Sequence, residues 1–132
     1  MLRHYVSVNN LETTKNLLTT KEISSTDCHN ALYDSVKYGY NDMVSFLLTD
    51  ERFITVAADK HNICFIKAVE KGNLELVKIL ASIDTVALNA NAQNNKALVT
   101  AFVTDRKIVK FLLTLPAIMN DPSTESILSY FG

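Results

Sequence analysis

Glycine is nearly missing from this chain: 3 residues in 132, one of them Gly132. A glycine-rich loop entering a helix is what lets successive backbone N–H groups cradle a phosphate, so nucleotide-handling chemistry has no seat here. Cysteine is scarce too. Cys28 and Cys64 cannot form a disulfide framework, which fits a reducing compartment and makes the cytosol the expected location. Basic excess is absent, since Lys+Arg 13 against Asp+Glu 14 leaves a net charge of -1. With so little to neutralise a phosphate backbone, nucleic acid is not an expected partner. No apolar run approaches the roughly 20 residues needed to cross a bilayer. The start, Met1 to Val8, is too short and too polar afterwards for a secretory signal, so no membrane is expected.

What the chain does have is an ample apolar share, 48%, and an internal repeat. The segment from Ala31 to Val44 returns from Cys64 to Val77, and Gly39 and Gly72 lie 33 residues apart. A period of this size indicates one helix-turn-helix unit copied in tandem, each unit burying its apolar face against its neighbours. Bulky pairs close the units: Leu17-Leu18, Leu47-Leu48, Ile79-Leu80 and Leu112-Leu113. The second unit's outer helix carries Met43, Val44, Leu47 and Leu48, a spacing that forms one stripe on a helix. Leu76, Val77, Ile79 and Leu80 repeat it, as do Ile108, Val109, Leu112 and Leu113. The expectation is an all-α helical-repeat solenoid, a single domain of four units spanning approximately residues 1–29, 30–62, 63–95 and 96–120.

Gly39 and Gly72 sit where an inner helix must stop and turn back through a left-handed residue, and Asn9-Asn10 supplies the next-best residue type in the first unit. The fourth unit has Thr104-Asp105-Arg106 and is one residue short, so its turn is expected to be built differently. Polar stretches beyond the outer helices, at 49–52, 57–62 and 89–95, read as loops or hairpins whose Asn and Asp residues cap the next helix. Asp121-Pro122 opens a short final helix within 121–132, expected to cover the fourth unit's apolar inner helix.

The run Ala68-Val69-Glu70-Lys71-Gly72-Asn73-Leu74-Glu75-Leu76-Val77-Lys78-Ile79-Leu80 resembles the ankyrin-repeat pattern of inner helix, glycine turn and outer helix, and Gly39, Asp42, Val44, Leu47 and Leu48 match it in the second unit. The Thr-Pro-Leu-His opening and the Asp-Gly hairpin tip of that family are missing. Leu48-Thr49-Asp50-Glu51-Arg52-Phe53 is similar to a divergent subtype common in amoebae and in the viruses and bacteria that infect them. By analogy, that implies an effector at work in a host cell's cytosol. The resemblance also implies a non-catalytic protein-binding module, with the partner held on the concave face. Carried onto matching positions, the partner-binding residues are Lys37 with Tyr38, Glu70 with Lys71, and Val103 with Thr104 late in the inner helices. At the loop tips they are Asp27 and His29, Lys60 and Asn62, then Gln93 and Asn95. Tyr38 is the leading candidate because aromatic side chains give large contact area at low entropy cost. Tyr40 is expected to pack against the outer helix.

Other chemistries fit less well. Cys28, His29, His61 and Cys64 are ligand types zinc prefers, but all four would have to converge from two neighbouring loops, and Cys64 has the register of a small core residue. As a nucleophile Cys28 lacks an oxyanion hole, and adjacent His29 does not face it. No metal, no cofactor and no catalysis are therefore expected. The remaining alternative is architectural, a fragment of a longer array or a self-associating stack, set against the expected capped monomer.

Overall fold

The computed structural model describes residues 2–7, 9–20 and 22–131, and over these the chain is all-α, with no strand. Four helices, α1 (Leu2–Ser7), α3 (Ser25–Lys37), α6 (Asp59–Glu70) and α9 (Ala92–Thr104), are each followed by a partner: α2 (Leu11–Thr20), α4 (Asn41–Leu47), α7 (Leu74–Ala81) and α10 (Arg106–Leu112). Short helices α5 (Glu51–Val56), α8 (Asp84–Leu88) and α11 (Pro116–Met119) join the pairs, and α12 (Pro122–Phe131) comes last. The first helix of each pair packs on its own partner and on the first helix of the next pair, so α1, α3, α6, α9 and α12 lie side by side in that order. On the other side α4 packs on α7 and α7 on α10. None of the described helices is long and apolar enough to cross a membrane.

The turns within pairs follow from single residues. Asn9, Gly39 and Gly72 have φ of 55°, 75° and 68°. In each, the next residue's N–H reaches back five positions, Asn10 to Tyr5, Tyr40 to Ser35 and Asn73 to Ala68, which satisfies a carbonyl the helix end would leave orphaned. The fourth turn has no left-handed residue: Asp105 is extended at φ -157°, and its carboxylate caps α10 by accepting from Lys107 N at 2.8 Å. The apolar stripes read from the sequence are the core. Met43, Val44 and Leu47, then Leu76, Val77 and Leu80, then Ile108 and Leu112 are fully buried against Leu32, Phe65, Ile66 and Leu98 of the neighbouring layer. Each such side chain contributes roughly 1.5–3 kcal/mol on leaving water.

The stretches expected as loops or hairpins are partly helical instead. Asp50 caps α5 through Arg52 N (2.9 Å), and the Arg52 guanidinium grips the Asp50 carboxylate (2.6 Å) and the Leu18 carbonyl (2.8 Å), which fastens α5 to the end of α2. Phe53 and Val56 then anchor α5, as Val86 anchors α8 and Ile118 anchors α11, each buried. Proline at the first position of α11 is preset for a helix start. A second departure opens α6 and α9. Lys60, His61 and Asn62, and one period later Gln93, Asn94 and Asn95, all have φ between 54° and 64°, forming one left-handed turn before the right-handed run. The turns close through Asn62 N to Ala58 O (3.0 Å) and Asn95 N to Asn91 O (2.8 Å). At the C-terminal end Asp121 caps α12 through Ser123 N (2.8 Å), and Phe131 stacks on Phe102 of α9 with centroids 4.9 Å apart. The final helix thus packs on α9, while Val103 and Tyr130 stay exposed.

Candidate interaction surface

The residues singled out late in the inner helices stay at the surface. Lys37, Tyr38, Glu70, Lys71, Val103 and Thr104 are all exposed, Tyr38 at 51% and Val103 at 76%. They stand at the ends of three helices packed in succession, α3 on α6 and α6 on α9. The turns behind them are close: a Cβ built on Gly39 would lie 3.9 Å from Asn73 Nδ2, and one built on Gly72 would lie 3.2 Å from Thr104 Cγ2. The structure therefore brings the six together along one edge of the inner-helix face.

Charge on this face is organised in a chain of contacts. Arg3 of α1 grips Asp34 of α3 with two hydrogen bonds, Nε to Oδ2 at 2.5 Å and Nη2 to Oδ1 at 3.1 Å. The Asp34 side chain is 7% exposed, so the guanidinium is what makes its burial tolerable. Lys67 of α6 pairs with Glu70 at 2.9 Å and lies over the Tyr33 ring at 5.9 Å, and Lys96 of α9 approaches Glu70 at 3.9 Å. Glu70 raises the Lys67 ammonium above its ordinary range. Lys37 lies over the Tyr38 ring at 5.6 Å. Tyr38 in turn packs against Tyr40, centroids 5.8 Å apart, and Tyr40 is half-buried against the core at the start of α4. Arg3, Tyr33, Lys67 and Lys96 were not among the residues the sequence pointed to. Lys67 could have been found, because it lies one helical turn before Glu70 and Lys71.

The loop-tip residues are placed differently. Asp27 and His29 lie within the first turns of α3, which Ser24 caps through Asp27 N (3.1 Å). Asp27, Lys60 and Gln93 are exposed, whereas His29, Asn62 and Asn95 are buried. These last three recur at 33-residue spacing and turn inward to hold the connections. His29 is buried and stacks on Tyr33 with ring centroids 6.4 Å apart. Asn62 Nδ2 donates to Val86 O and Asn89 O, both at 3.0 Å, and Asn95 Nδ2 donates to Thr124 Oγ1 (2.9 Å) and Ser123 Oγ (3.2 Å). His29 and Asn62 are therefore corrected from surface residues to interior ones, and Asn95 with them. The buried amides of Asn62 and Asn95 thus each donate to the segment that follows, while among the described residues their Oδ1 atoms and His29 Nδ1 are buried without a partner.

Both thiols are buried, and burial pushes Cys64 up to about 12 and Cys28 upward as well. Neither offers a thiolate near neutral pH. Among the described residues no group of three or more His, Cys, Asp or Glu side chains converges as a metal site. Compared with known proteins, the chain matches no family model, no curated protein and no solved structure.

Proposed function

We propose that this chain is a non-catalytic protein-binding module, an ankyrin-like stack of helix pairs that holds a partner protein against the face of its inner helices. The observation that carries the reading is the row Lys37-Tyr38, Glu70-Lys71, Val103-Thr104: three exposed pairs at the ends of consecutively packed helices. Tyr38 and Val103 expose apolar surface there that no intramolecular packing requires, and exposed aromatic groups amid separated charges are what partner surfaces enrich. A monomer suits this work. The outward side of α12 carries exposed Glu125, Ser126 and Ser129 beside an exposed Tyr130, a mostly polar surface over α9.

Affinity capture with the wild type beside a Tyr38→Ala, Lys71→Glu double variant of equal circular dichroism tests the reading. A partner held by the first and lost by the second supports it. A partner held equally by both moves the binding face elsewhere, and size-exclusion chromatography showing a stable oligomer would favour a self-associating stack.

A further inference from the structure

The chain's net charge is -1, yet its inner-helix face is basic. Arg3, Lys37, Lys60, Lys67, Lys71 and Lys96 stand on the inner helices with Asp27, Asp34, Asp59 and Glu70; Asp27, Asp59 and Lys60 lie in the first turns of α3 and α6, and of the other carboxylates Asp34 is engaged by Arg3 and Glu70 by Lys67 with Lys96. Among the described residues Lys37 and Lys71 make no ion pair: Lys37 has the Tyr38 ring beside it, and Lys71 is exposed next to the Gly72 turn. Two free ammonium groups on adjacent helices, bordered by the exposed apolar surfaces of Tyr38 and Val103, form a pattern a complementary ligand can read.

We propose that this face binds an extended, acidic polypeptide segment whose carboxylates meet Lys37 and Lys71 while intervening apolar side chains lie on Tyr38 and Val103. This rests on the protein-binding reading above and names the chemistry of the partner. Packed helices lie roughly 10 Å apart, and an extended chain in the polyproline II conformation advances about 3.1 Å per residue with three residues per turn, so carboxylates at every third position fall on one side and meet lysines on successive helices. Nucleic acid is disfavoured because the phosphate charge it brings is continuous, whereas this basic strip is narrow and the rest of the chain carries the excess acid.

The probe is a fluorescein-labelled peptide of about twelve residues, Glu-Leu-Ser repeated, titrated with the full chain by fluorescence anisotropy at about 50 mM and 300 mM NaCl. Binding should weaken with salt, and Lys37→Glu with Lys71→Glu should weaken it about tenfold or more, since each reversal replaces an attraction by a repulsion. Lys107→Glu with Lys110→Glu changes the net charge equally but on α10, and should leave affinity within about twofold if the face and not the overall charge is recognised. Equal loss from the two double variants overturns the proposal, as does equal affinity for a peptide with Lys in place of Glu. An oligothymidylate of the same length that binds more tightly through the same lysines would reassign the face to nucleic acid. Failure of the peptide to bind, alongside partner capture that still depends on Tyr38 and Lys71, would sink the acidic-segment inference while leaving the binding-module reading in place.

Discussion

Replacing Asn62 tests whether the buried polar side chains hold this fold together. Asn62 is fully buried, sits at φ 64°, and donates to the carbonyls of Val86 and Asn89 at 3.0 Å each. In Asn62→Ala both carbonyls lose their donor. Val86 lies inside, so stranding its oxygen costs about 1–3 kcal/mol, while the Asn89 carbonyl is nearer solvent and costs about 1 kcal/mol or less. Alanine also tolerates the left-handed region less well than asparagine, which adds roughly 1 kcal/mol. The expected loss is about 3 kcal/mol, or near 10 °C in Tm for a chain this size. Asn62→Gly removes the backbone penalty and should lose about 2 kcal/mol, so glycine must rank above alanine. Asn62→Asp keeps the shape but cannot donate when ionised, and it buries a charge, so at neutral pH it should be the worst of the three. Urea unfolding followed by circular dichroism, read at constant slope, gives the ranking. A loss below about 1 kcal/mol for alanine, or glycine ranking beneath alanine, would refute the account of both the hydrogen bonds and the left-handed turn.

Other consequences can be measured in the same assay. Burial, and after it Lys60, holds the His29 imidazole below its ordinary range, so the folded state prefers it neutral. Its contribution is fully present above the unfolded value near 6.5 and is lost as pH falls from there toward the folded value. His29→Asn, the residue found one and two periods later, should flatten the stability profile between about pH 7 and 5, and an unchanged profile would count against this role. Gly72→Ala should cost about 1–2 kcal/mol and more than Gly39→Ala, because only the former brings a Cβ within 3.2 Å of Thr104. Phe131→Ala should lose about 1–2 kcal/mol with the Phe102 stack and expose apolar surface on α9, seen as concentration-dependent association in size exclusion. Cys64 should resist thiol reagents in the native state and react only on unfolding, so rapid native labelling would contradict its burial.

The turns and stripes of this fold were legible because single residues carry them. Gly39, Gly72 and Asn9 mark left-handed positions, bulky pairs mark the buried side of each outer helix, and Asp121-Pro122 marks the start of α12. The left-handed turns at 60–62 and 93–95 were not, because local preference opposes them by about 1–2 kcal/mol per non-glycine residue. What sustains them is tertiary: the amides of Asn62 and Asn95 bond to groups 24 to 29 residues away. One signal did exist, in the polar residues 29, 62 and 95, each just ahead of an apolar helix at constant period. Read as surface tips, they proved to be interior tethers. The exposed row from Lys37 to Thr104 followed the repeat register, whereas Arg3 and Lys96 joined the face only through contacts across helices, which spacing along the chain does not encode.

The two ends of the row of inner helices are secured by different kinds of bond. At the C-terminal end α12 is held by the buried Asn95–Thr124 bond, the Asn91–Asp121 bond and the Phe102–Phe131 stack, of which the first and last are uncharged. At the N-terminal end α1 is linked to α3 by the Arg3–Asp34 pair, whose guanidinium side is 60% exposed and whose carboxylate side is buried. Salt weakens a charged pair that is open to solvent on one side and leaves neutral buried bonds almost untouched. Partial opening therefore has a direction: amide protons of α1 exchange with solvent before those of α12, and added salt widens that interval by hastening only the first event.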